Sequence, residues 1–250
     1  MDVTEQLPPP VSVINPAGTS PYLLICEHAS RFIPASYKGL GLTEEDLRRH
    51  IAWDIGAADV ATALSAHLDA PLVLAGYSRL LIDLNRPVGA RTSIPDVSEV
   101  TEIPGNINIS GKEREHRERS YFTPFQAQVT AMINDRLKAG ITPVIVAIHS
   151  FTPVFKGFAR PWHAGILYRR SKSFGHSFAE ALGGASQHIA ENEPYQIEDD
   201  GDYTVPIHGE ARGLDAVLVE VRQDLIATPD GAKAWAHRLK RALSALHAKQ

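Results

Sequence analysis

"PVIVAIHS", residues 143–150, indicates how this sequence folds. The apolar run from Val144 to Ile148 is typical of a strand that is covered on both faces of a sheet, and His149 follows where the strand pattern ends. A second stretch, "LLICEHASRFIP", repeats the arrangement, because apolar residues lead from Leu23 into a turn that carries His28. The sequence therefore predicts two imidazoles at the ends of two buried strands.

Outward from this strand, apolar segments alternate with helical patterns. Further strands are predicted at 22–26, 71–78, 79–85, 163–170 and 215–225, and helices at 43–68, 111–140, 173–186 and 230–249. The long helix at 111–140 is expected to kink or restart near Pro124. This order predicts a three-layer α/β/α sandwich with a mixed, mostly parallel sheet. We expect a single domain over residues 1–250, with 1–20 as an extended amino-terminal arm.

Polar, loop-rich stretches occur at 87–111, 150–163 and 191–213. In sheets of this kind ligands bind beyond the carboxyl ends of the strands, so these loops are expected to surround the site.

Composition narrows the possible functions. The 250 residues are 44% hydrophobic and 22% charged, with a net charge of -4 that is mixed along the chain. This balance gives no basic surface for nucleic acid or an anionic membrane, and no apolar stretch approaches the roughly 20 residues of a membrane span. The single Cys26 and an amino terminus without a signal-peptide pattern predict a cytoplasmic protein.

His28 and His149 are candidate metal ligands, because both follow strands that end at the same expected edge. Each histidine could instead only cap its strand through a hydrogen bond. A catalytic zinc site takes three protein ligands and one open position, so a third group is required. Glu27 is one candidate, although neighbouring residues of an extended strand point to opposite faces. Asp54 in the apolar stretch "HIAWDIGA" is the other, unless it serves as a cap or salt-bridge partner.

Two arginine-containing segments are candidate substrate-binding sites. In "LLIDLNRP", Asn85 and Arg86 follow an apolar run, and a guanidinium can bind a carboxylate through two parallel hydrogen bonds. An internal pair between Asp83 and Arg86 is an equal alternative. In "GFARPWH", Arg160 is a further candidate that could equally hold its loop in place.

Glu220 lies inside the apolar pattern "VLVEVRQDL". Because an isolated carboxylate is costly in a core, Glu220 is expected either to pair with a group such as Arg222 or to face a cavity. A carboxylate near a metal-activated water can act as the general base of a hydrolysis, so Glu220 is the predicted base, with Arg222 beside it as a further substrate-binding candidate.

Seven spaced segments together resemble the N-formylglutamate amidohydrolase family, in the branch whose first motif reads Glu-His-Ala-Ser. They are "CEHASRFIP", "WDIGA", "YSRLLIDLNRP", "IHSFTPV", "RPWHAG", "NEPY" and "EVRQDL". The resemblance covers residues 21–226. It implies a phosphorylase/hydrolase-like fold similar to the zinc carboxypeptidases and a divalent metal, zinc, as cofactor. It further implies hydrolysis of an N-acyl amino acid, with N-formyl-L-glutamate giving formate and L-glutamate as the family reaction.

The resemblance also assigns roles by position. His28 and His149 are similar to metal-binding histidines, Asn85 and Arg86 to a pair that binds a substrate carboxylate, and Glu220 to a general base. The carboxypeptidase motif has a glutamate three residues after the first histidine. This sequence has Arg31 there, which leaves Asp54 or Glu27 to supply the third ligand.

Two other functions remain open at this stage. One is hydrolysis of a peptide or cell-wall amide, and the other is non-catalytic binding of an acidic ligand in the same pocket.

Overall fold

The computed structural model describes residues 6–198 and 201–247. Within these residues the strands are β1 (Val11–Ile14), β2 (Tyr22–Cys26), β3 (Leu72–Ala75), β4 (Val97–Ser98), β5 (Thr101–Glu102), β6 (Val144–Phe151), β7 (Val154–Phe155), β8 (Phe158–Ala159), β9 (Ala164–Leu167), β10 (Ile189–Glu191) and β11 (Ala216–Arg222). The α-helices are α1 (Ala57–Leu68), α2 (Gly111–Arg117), α3 (Thr123–Lys138), α4 (Lys172–Ala181) and α5 (Pro229–His247). Short 3₁₀ turns occupy Ala35–Gly41, Asp46–Arg48, Pro104–Asn106, Gly184–Gln187, Glu210–Arg212 and Gln223–Leu225, and π-helical turns occupy Glu118–Phe122 and Thr204–Gly209.

In the described part of the chain the central sheet has the order β1-β3-β2-β6-β11-β9-β10, and β4–β5 and β7–β8 form two separate hairpins. Strands β3, β2, β6 and β11 are parallel, whereas β1 and β9 run antiparallel to their neighbours β3 and β11. The predicted mixed, mostly parallel sheet is confirmed. Its parallel centre brings the carboxyl ends of β2, β6 and β11 to one edge.

Helices cover both faces of this sheet. Side chains alternate along each strand, so Val146 packs on the layer of α1, α4 and α5, whereas Ala147 packs on the layer that contains α3. The predicted three-layer architecture is therefore confirmed. Among the described residues no helix is both long and apolar enough to cross a membrane.

The predicted helix at 43–68 is wrong in its first half. Thr43 does cap a turn, since its Oγ1 accepts a hydrogen bond from the Asp46 backbone N–H at 3.1 Å, but that turn ends at Arg48. Helix α1 begins only after Gly56, whose φ of 79° lies in the left-handed region. A Cβ at Gly56 would lie 2.2 Å from the Ile226 carbonyl oxygen, so the close approach requires glycine. The interruption leaves the residues before α1 free to face the sheet edge.

The predicted strand at 79–85 is also wrong. These residues form buried turns, and their leucine and isoleucine side chains pack in the core on the α3 side. Polar side chains close the turns: Oγ of Ser78 accepts from the Leu80 N–H at 3.2 Å, and Oδ1 of Asp83 accepts from the Asn85 N–H at 2.9 Å. A short apolar run does not distinguish a strand from buried turns.

Other expected elements agree with the structure. The α2–α3 region continues through a π-helical turn and restarts as α3 with Pro124 in its first turn, as predicted. Within the range predicted as an arm, β1 adds an antiparallel edge strand. Residues 1–5 of the arm, 199–200 of the third loop and 248–249 of the last predicted helix lie outside the described residues.

Candidate metal centre and cavity

The carboxyl edge of the sheet positions the candidate catalytic side chains. His149 occupies the register position opposite Glu220 where β6 pairs with β11, so both side chains project from the same sheet face. His28 follows the end of the neighbouring strand β2. Asp54 reaches the same point from the loop before α1, where its backbone N–H donates to the His28 carbonyl at 3.0 Å. The fold thus assembles four sequence-predicted residues from four separate segments.

Two imidazoles and one carboxylate form a close cluster. The rings of His28 and His149 meet edge to face with centroids 4.8 Å apart. Oδ2 of Asp54 lies 3.3 Å from Nδ1 of His28 and 2.9 Å from Nδ1 of His149. One ligand atom from each residue lies within 4.8 Å of the others, and all three residues are buried. Two nitrogens and one oxygen are the donor set of many catalytic zinc sites.

The second nitrogen of each imidazole contacts another buried carboxylate. Nε2 of His28 lies 2.7 Å from Oδ1 of Asp83, and Nε2 of His149 lies 3.0 Å from Oε2 of Glu27. Metal-binding histidines usually donate their remaining ring N–H to such a partner, which fixes the tautomer and the ring orientation. Of the two carboxylates considered as third ligand, Asp54 faces both Nδ1 atoms, whereas Glu27 lies behind His149.

Further hydrogen bonds hold these carboxylates in place. Arg79 donates from Nη2 to Asp83 at 2.6 Å and from Nη1 to Asp54 at 3.3 Å. The Thr204 hydroxyl donates to Glu27, and the Ser150 N–H donates to Asp54 at 3.2 Å. Sequence reasoning did not identify Arg79 or Thr204. Arg79 opens the apolar run for which the sequence predicts a strand, and no local pattern distinguishes Thr204.

Electrostatics keep the carboxylates ionised in spite of burial. Burial favours the neutral form of Asp54, but the adjacent imidazoles hold its pKa below the ordinary value. Burial likewise opposes ionisation of Asp83, whose pKa Arg79 and the His28 ring hold well below normal. Burial disfavours protonation of His149, yet Glu27 and Asp54 raise its pKa well above the ordinary value. The centre is therefore built to stabilise positive charge between the carboxylates.

A charge count tests whether this centre fits a metal ion. Three ionised carboxylates, Glu27, Asp54 and Asp83, face the guanidinium of Arg79, and that of Arg86 lies 3.9 Å from Asp83. The carboxylates therefore outnumber the guanidinium groups, and a protonated imidazole or a cation supplies the remaining positive charge. The donor atoms, the oriented rings and the charge all fit a divalent cation.

Glu220 differs from the other carboxylates because its Oε2 has no hydrogen-bond partner among the described residues. Glu220 is 6% exposed, and burial raises its pKa to about 7, although His149 works in the opposite direction. A carboxyl group with a pKa near neutrality can both accept and release a proton under physiological conditions. Its role as general base stays a prediction.

A cavity of about 360 Å³ opens over this cluster. His28, Asp54, His149 and Glu220 all line it, together with Arg86. Among residues 6–198 and 201–247, the closest carboxylate oxygens to the Arg86 guanidinium are 3.9 Å and 4.0 Å away, on Asp83 and Asp202. These distances exceed those of direct hydrogen bonds, so Arg86 can still bind an anionic ligand group.

Asn85 also lines the cavity, but its amide is largely engaged. Nδ2 donates to Asp202 at 3.0 Å, and Oδ1 accepts from the backbone N–H groups of Tyr203 and Thr204 at 3.1 and 2.9 Å. These bonds tie the 201–204 segment to the cavity wall. Asn85 thus holds the loop whose Thr204 supports Glu27.

The other two arginines contact the protein itself. Arg160 is 6% exposed, donates to the Tyr195 hydroxyl at 2.9 Å and packs against aromatic rings. Arg222 pairs with Asp224 at 2.8 Å and does not pair with Glu220. Neither residue lines the cavity, and their substrate-binding roles stay predictions.

The fold and the site together define a class: α/β domains that carry a metal-competent centre and a buried carboxylate, that of Glu220, at the carboxyl edge of a mixed sheet. The family model for N-formylglutamate amidohydrolase matches residues 20–227. The chain belongs to the N-formylglutamate amidohydrolase family, and it is a hydrolase that acts on amide bonds.

Two solved structures share the fold of this chain. The chain is similar to a gene product of Agrobacterium tumefaciens at 38% identity, with 95% of this chain and 96% of that chain covered and a TM-score of 0.90. It shares its fold with the N-formylglutamate amidohydrolase of Ralstonia eutropha at 17% identity, with 93% and 95% covered and a TM-score of 0.65. A search of the curated proteins finds no match.

Proposed function

We propose that this chain is a metal-dependent hydrolase that releases an amino acid from its N-acyl derivative, with N-formyl-L-glutamate as the first substrate to test. The observation that carries the proposal is that Oε2 of Glu220 has no hydrogen-bond partner among the described residues, while Glu220 lines the same cavity as His28, Asp54 and His149. A structural carboxylate in a core is ordinarily paired. An unpaired one beside a metal-competent cluster is suited to proton transfer.

His28, Asp54 and His149 would hold the cation, and the nitrogen-rich donor set favours zinc. Such a cation supplies Lewis-acid polarisation of the scissile carbonyl and lowers the pKa of water. Glu27 and Asp83 orient the two imidazoles from behind, so that both Nδ1 atoms stay directed at the site.

Glu220 would move the proton that hydrolysis requires. Its carboxylate accepts a proton from the attacking water, whose oxygen bonds to the acyl carbon, and then delivers that proton to the nitrogen of the leaving amine. The C–N bond breaks as the amine leaves, and the products are a carboxylic acid and a free amino acid. A pKa raised by burial to about 7 suits both halves of this transfer.

Arg86 would bind the carboxylate of the amino-acid part and set the position of the amide over the centre. Asn85 contributes by fixing the loop at 201–204. The cytoplasmic location expected from the sequence stays a prediction.

The test is metal analysis combined with a hydrolysis assay. We expect about one bound zinc per chain and formate release from N-formyl-L-glutamate that a chelator abolishes and added zinc, cobalt or manganese restores. Metal-free protein with unchanged activity, or no hydrolysis of any N-acyl amino acid after metal loading, would contradict the proposal.

A further inference from the structure

The cavity over the metal centre adjoins a second one. We call the first, of about 360 Å³, the site compartment, and the second, of about 340 Å³, the side compartment. His50, Arg79, Arg86 and Tyr195 line both. A ligand bound at Arg86 therefore lies next to both compartments.

The side compartment has a mixed lining, in which an apolar wall lies beside polar and charged residues such as Thr92, Ser98 and Glu99. Val97 on hairpin β4–β5, Phe155 on hairpin β7–β8, and Tyr195 line it, with Ile51 and Pro95 beside them. Val97 is 50% exposed and Tyr195 is 41% exposed, although each lies at the mouth of a concave site. Exposed apolar side chains grouped around a cavity indicate a place for an apolar ligand group.

Arg160 fixes the aromatic part of this wall. Its guanidinium lies 4.7 Å from the ring centroid of Phe155 and 4.8 Å from that of Tyr195, and Nη1 donates to the Tyr195 hydroxyl at 2.9 Å. Cation–π contacts on a buried guanidinium hold both rings in a defined orientation. The wall is thus pre-organised, which lowers the entropic cost of binding.

Charge in the two compartments suits a ligand with one carboxylate. Among residues 6–198 and 201–247, Arg86 is the one arginine that lines either compartment without a hydrogen-bonded carboxylate. Burial lowers the pKa of His50, which therefore adds no positive charge at neutral pH. Glu198 and Asp202 line the site compartment, and Glu99 lines the side compartment. A second ligand carboxylate would meet acids in either compartment.

We propose, on the basis of the proposed function, that the preferred substrate is an N-acyl amino acid with an aromatic or branched aliphatic side chain, and that this side chain occupies the side compartment. With the carboxylate on Arg86, the α-carbon is one bond away, next to a side chain that lines both compartments. The acyl carbonyl must reach His28, Asp54 and His149. The amino-acid side chain is then the group directed toward Val97, Phe155 and Tyr195.

Steady-state kinetics of the zinc-loaded protein test this assignment. We expect kcat/KM for N-formyl-L-phenylalanine and N-formyl-L-leucine to exceed that for N-formyl-L-glutamate by about tenfold or more, the scale of a well-filled apolar pocket. Preference for N-formyl-L-glutamate would overturn the inference and leave the proposed function intact. Faster hydrolysis of N-benzoylglycine than of N-formyl-L-phenylalanine would place the apolar group on the acyl side and also overturn it.

A substitution that introduces a charge tests whether the amino-acid side chain of the substrate binds in the side compartment. In Val97→Lys a cation enters the side compartment, and we expect the kcat/KM ratio of the phenylalanine to the glutamate substrate to fall about tenfold or more. Val100→Lys is the matched control, because Val100 is 76% exposed on the same hairpin and lines neither compartment. Equal kcat/KM ratios in Val97→Lys and Val100→Lys would show that the amino-acid side chain of the substrate binds elsewhere.

Equilibrium binding separates this inference from the proposed function. Calorimetry with the metal-free protein is expected to show N-formyl-L-phenylalanine binding about tenfold more tightly than N-formyl-L-glutamate, whether or not turnover occurs. Equal or reversed affinities would refute the side-compartment assignment. Selective binding without hydrolysis by the metal-loaded protein would support the assignment and count against the proposed hydrolase mechanism.

Discussion

His149 and His208 are both buried, at 3% and 2% exposure, yet their surroundings favour opposite charge states. His149 lies between Glu27 and Asp54, at 3.0 and 2.9 Å, and these carboxylates raise its pKa well above normal in spite of burial. His208 donates to the amide oxygen of Gln126 at 2.7 Å, and its Nδ1 has no partner among the described residues. Burial lowers its pKa to about 4.

The comparison shows that burial alone does not identify a functional histidine. His149 lies at a strand end that opens on a cavity, among carboxylates whose excess charge calls for a cation. His208 lies within the π-helical turn at Thr204–Gly209, where a neutral amide accepts the hydrogen bond of its ring N–H. Burial and Arg212 disfavour a second proton, and Glu27 offsets them only in part. The charge of the hydrogen-bond partners and the access to a cavity distinguish His149 from His208.

The largest expected effect is on catalysis and comes from a change at Glu220. Glu220→Gln is expected to lower kcat by about 10²–10⁴-fold, because the amide cannot accept the proton of the attacking water. Metal content and circular dichroism are expected to match the wild type. Turnover within a few-fold of the wild type would remove Glu220 from the mechanism.

Glu210 is the matched control for Glu220. It is also a buried carboxylate, but Arg169 donates to it at 2.6 Å. Glu210→Gln is expected to lower the midpoint of thermal unfolding while kcat of the folded protein stays near the wild-type value. Equal losses of kcat in both variants would indicate a general structural effect.

Metal affinity tests whether Asp54 or Glu27 is the third metal ligand. Asp54→Asn is expected to weaken zinc binding by about 100-fold or more, because a direct donor is lost, and Glu27→Gln by about 10–100-fold, because only the orientation of His149 suffers. Competition with a chromophoric chelator measures both constants. A larger loss in Glu27→Gln than in Asp54→Asn would make Glu27 the ligand.

A smaller effect is expected on substrate binding. Arg86→Ala is expected to raise KM for an N-acyl amino acid by about 10–100-fold, the scale of a lost charge-assisted hydrogen bond, with a lesser change in kcat. The matching N-acyl amino-acid amide lacks the carboxylate and should show little change. Arg91→Ala is the control, since the Arg91 side chain is 90% exposed. The same KM increase with the amide substrate would assign Arg86 a structural role.

Much of the site was predictable because it lies at strand ends. Apolar runs predict β2, β6 and β11, and parallel strands bring His28, His149 and Glu220 to one edge whatever the loops do. Asp54 was predictable as a polar residue in an apolar stretch, but the choice between it and Glu27 depended on the turn after β2. That turn directs Glu27 toward the far nitrogen of His149.

The remaining parts depend on contacts between distant segments. Nothing near Thr204 in the sequence predicts its hydrogen bond to Glu27, 177 residues away. Arg79 pairs with Asp54 and Asp83 because the 79–85 run folds into turns, and a short apolar run does not distinguish turns from a strand. Arg160 supports an aromatic wall that forms only when the 150–163 and 191–213 loops meet.

The smallest expected effect is on the free energy of unfolding, and it tests the charge state of His208. The folded-state pKa of His208, about 4, lies below the ordinary value of 6.5, so the unfolded chain takes up the proton first. The stability from neutral His208 is fully present above pH 6.5 and decreases as pH falls toward 4. From pH 8 to 5.5 the loss is about 1.4 kcal/mol.

His208→Gln removes this titration and keeps a side-chain N–H for Gln126. Urea unfolding at several pH values is expected to show the free-energy difference between wild type and variant shrinking by about 1.4 kcal/mol from pH 8 to 5.5. The slope of that difference isolates His208, since the other titrating groups are common to both proteins. A difference that stays constant with pH would mean that His208 is protonated as easily in the folded protein as in the unfolded chain.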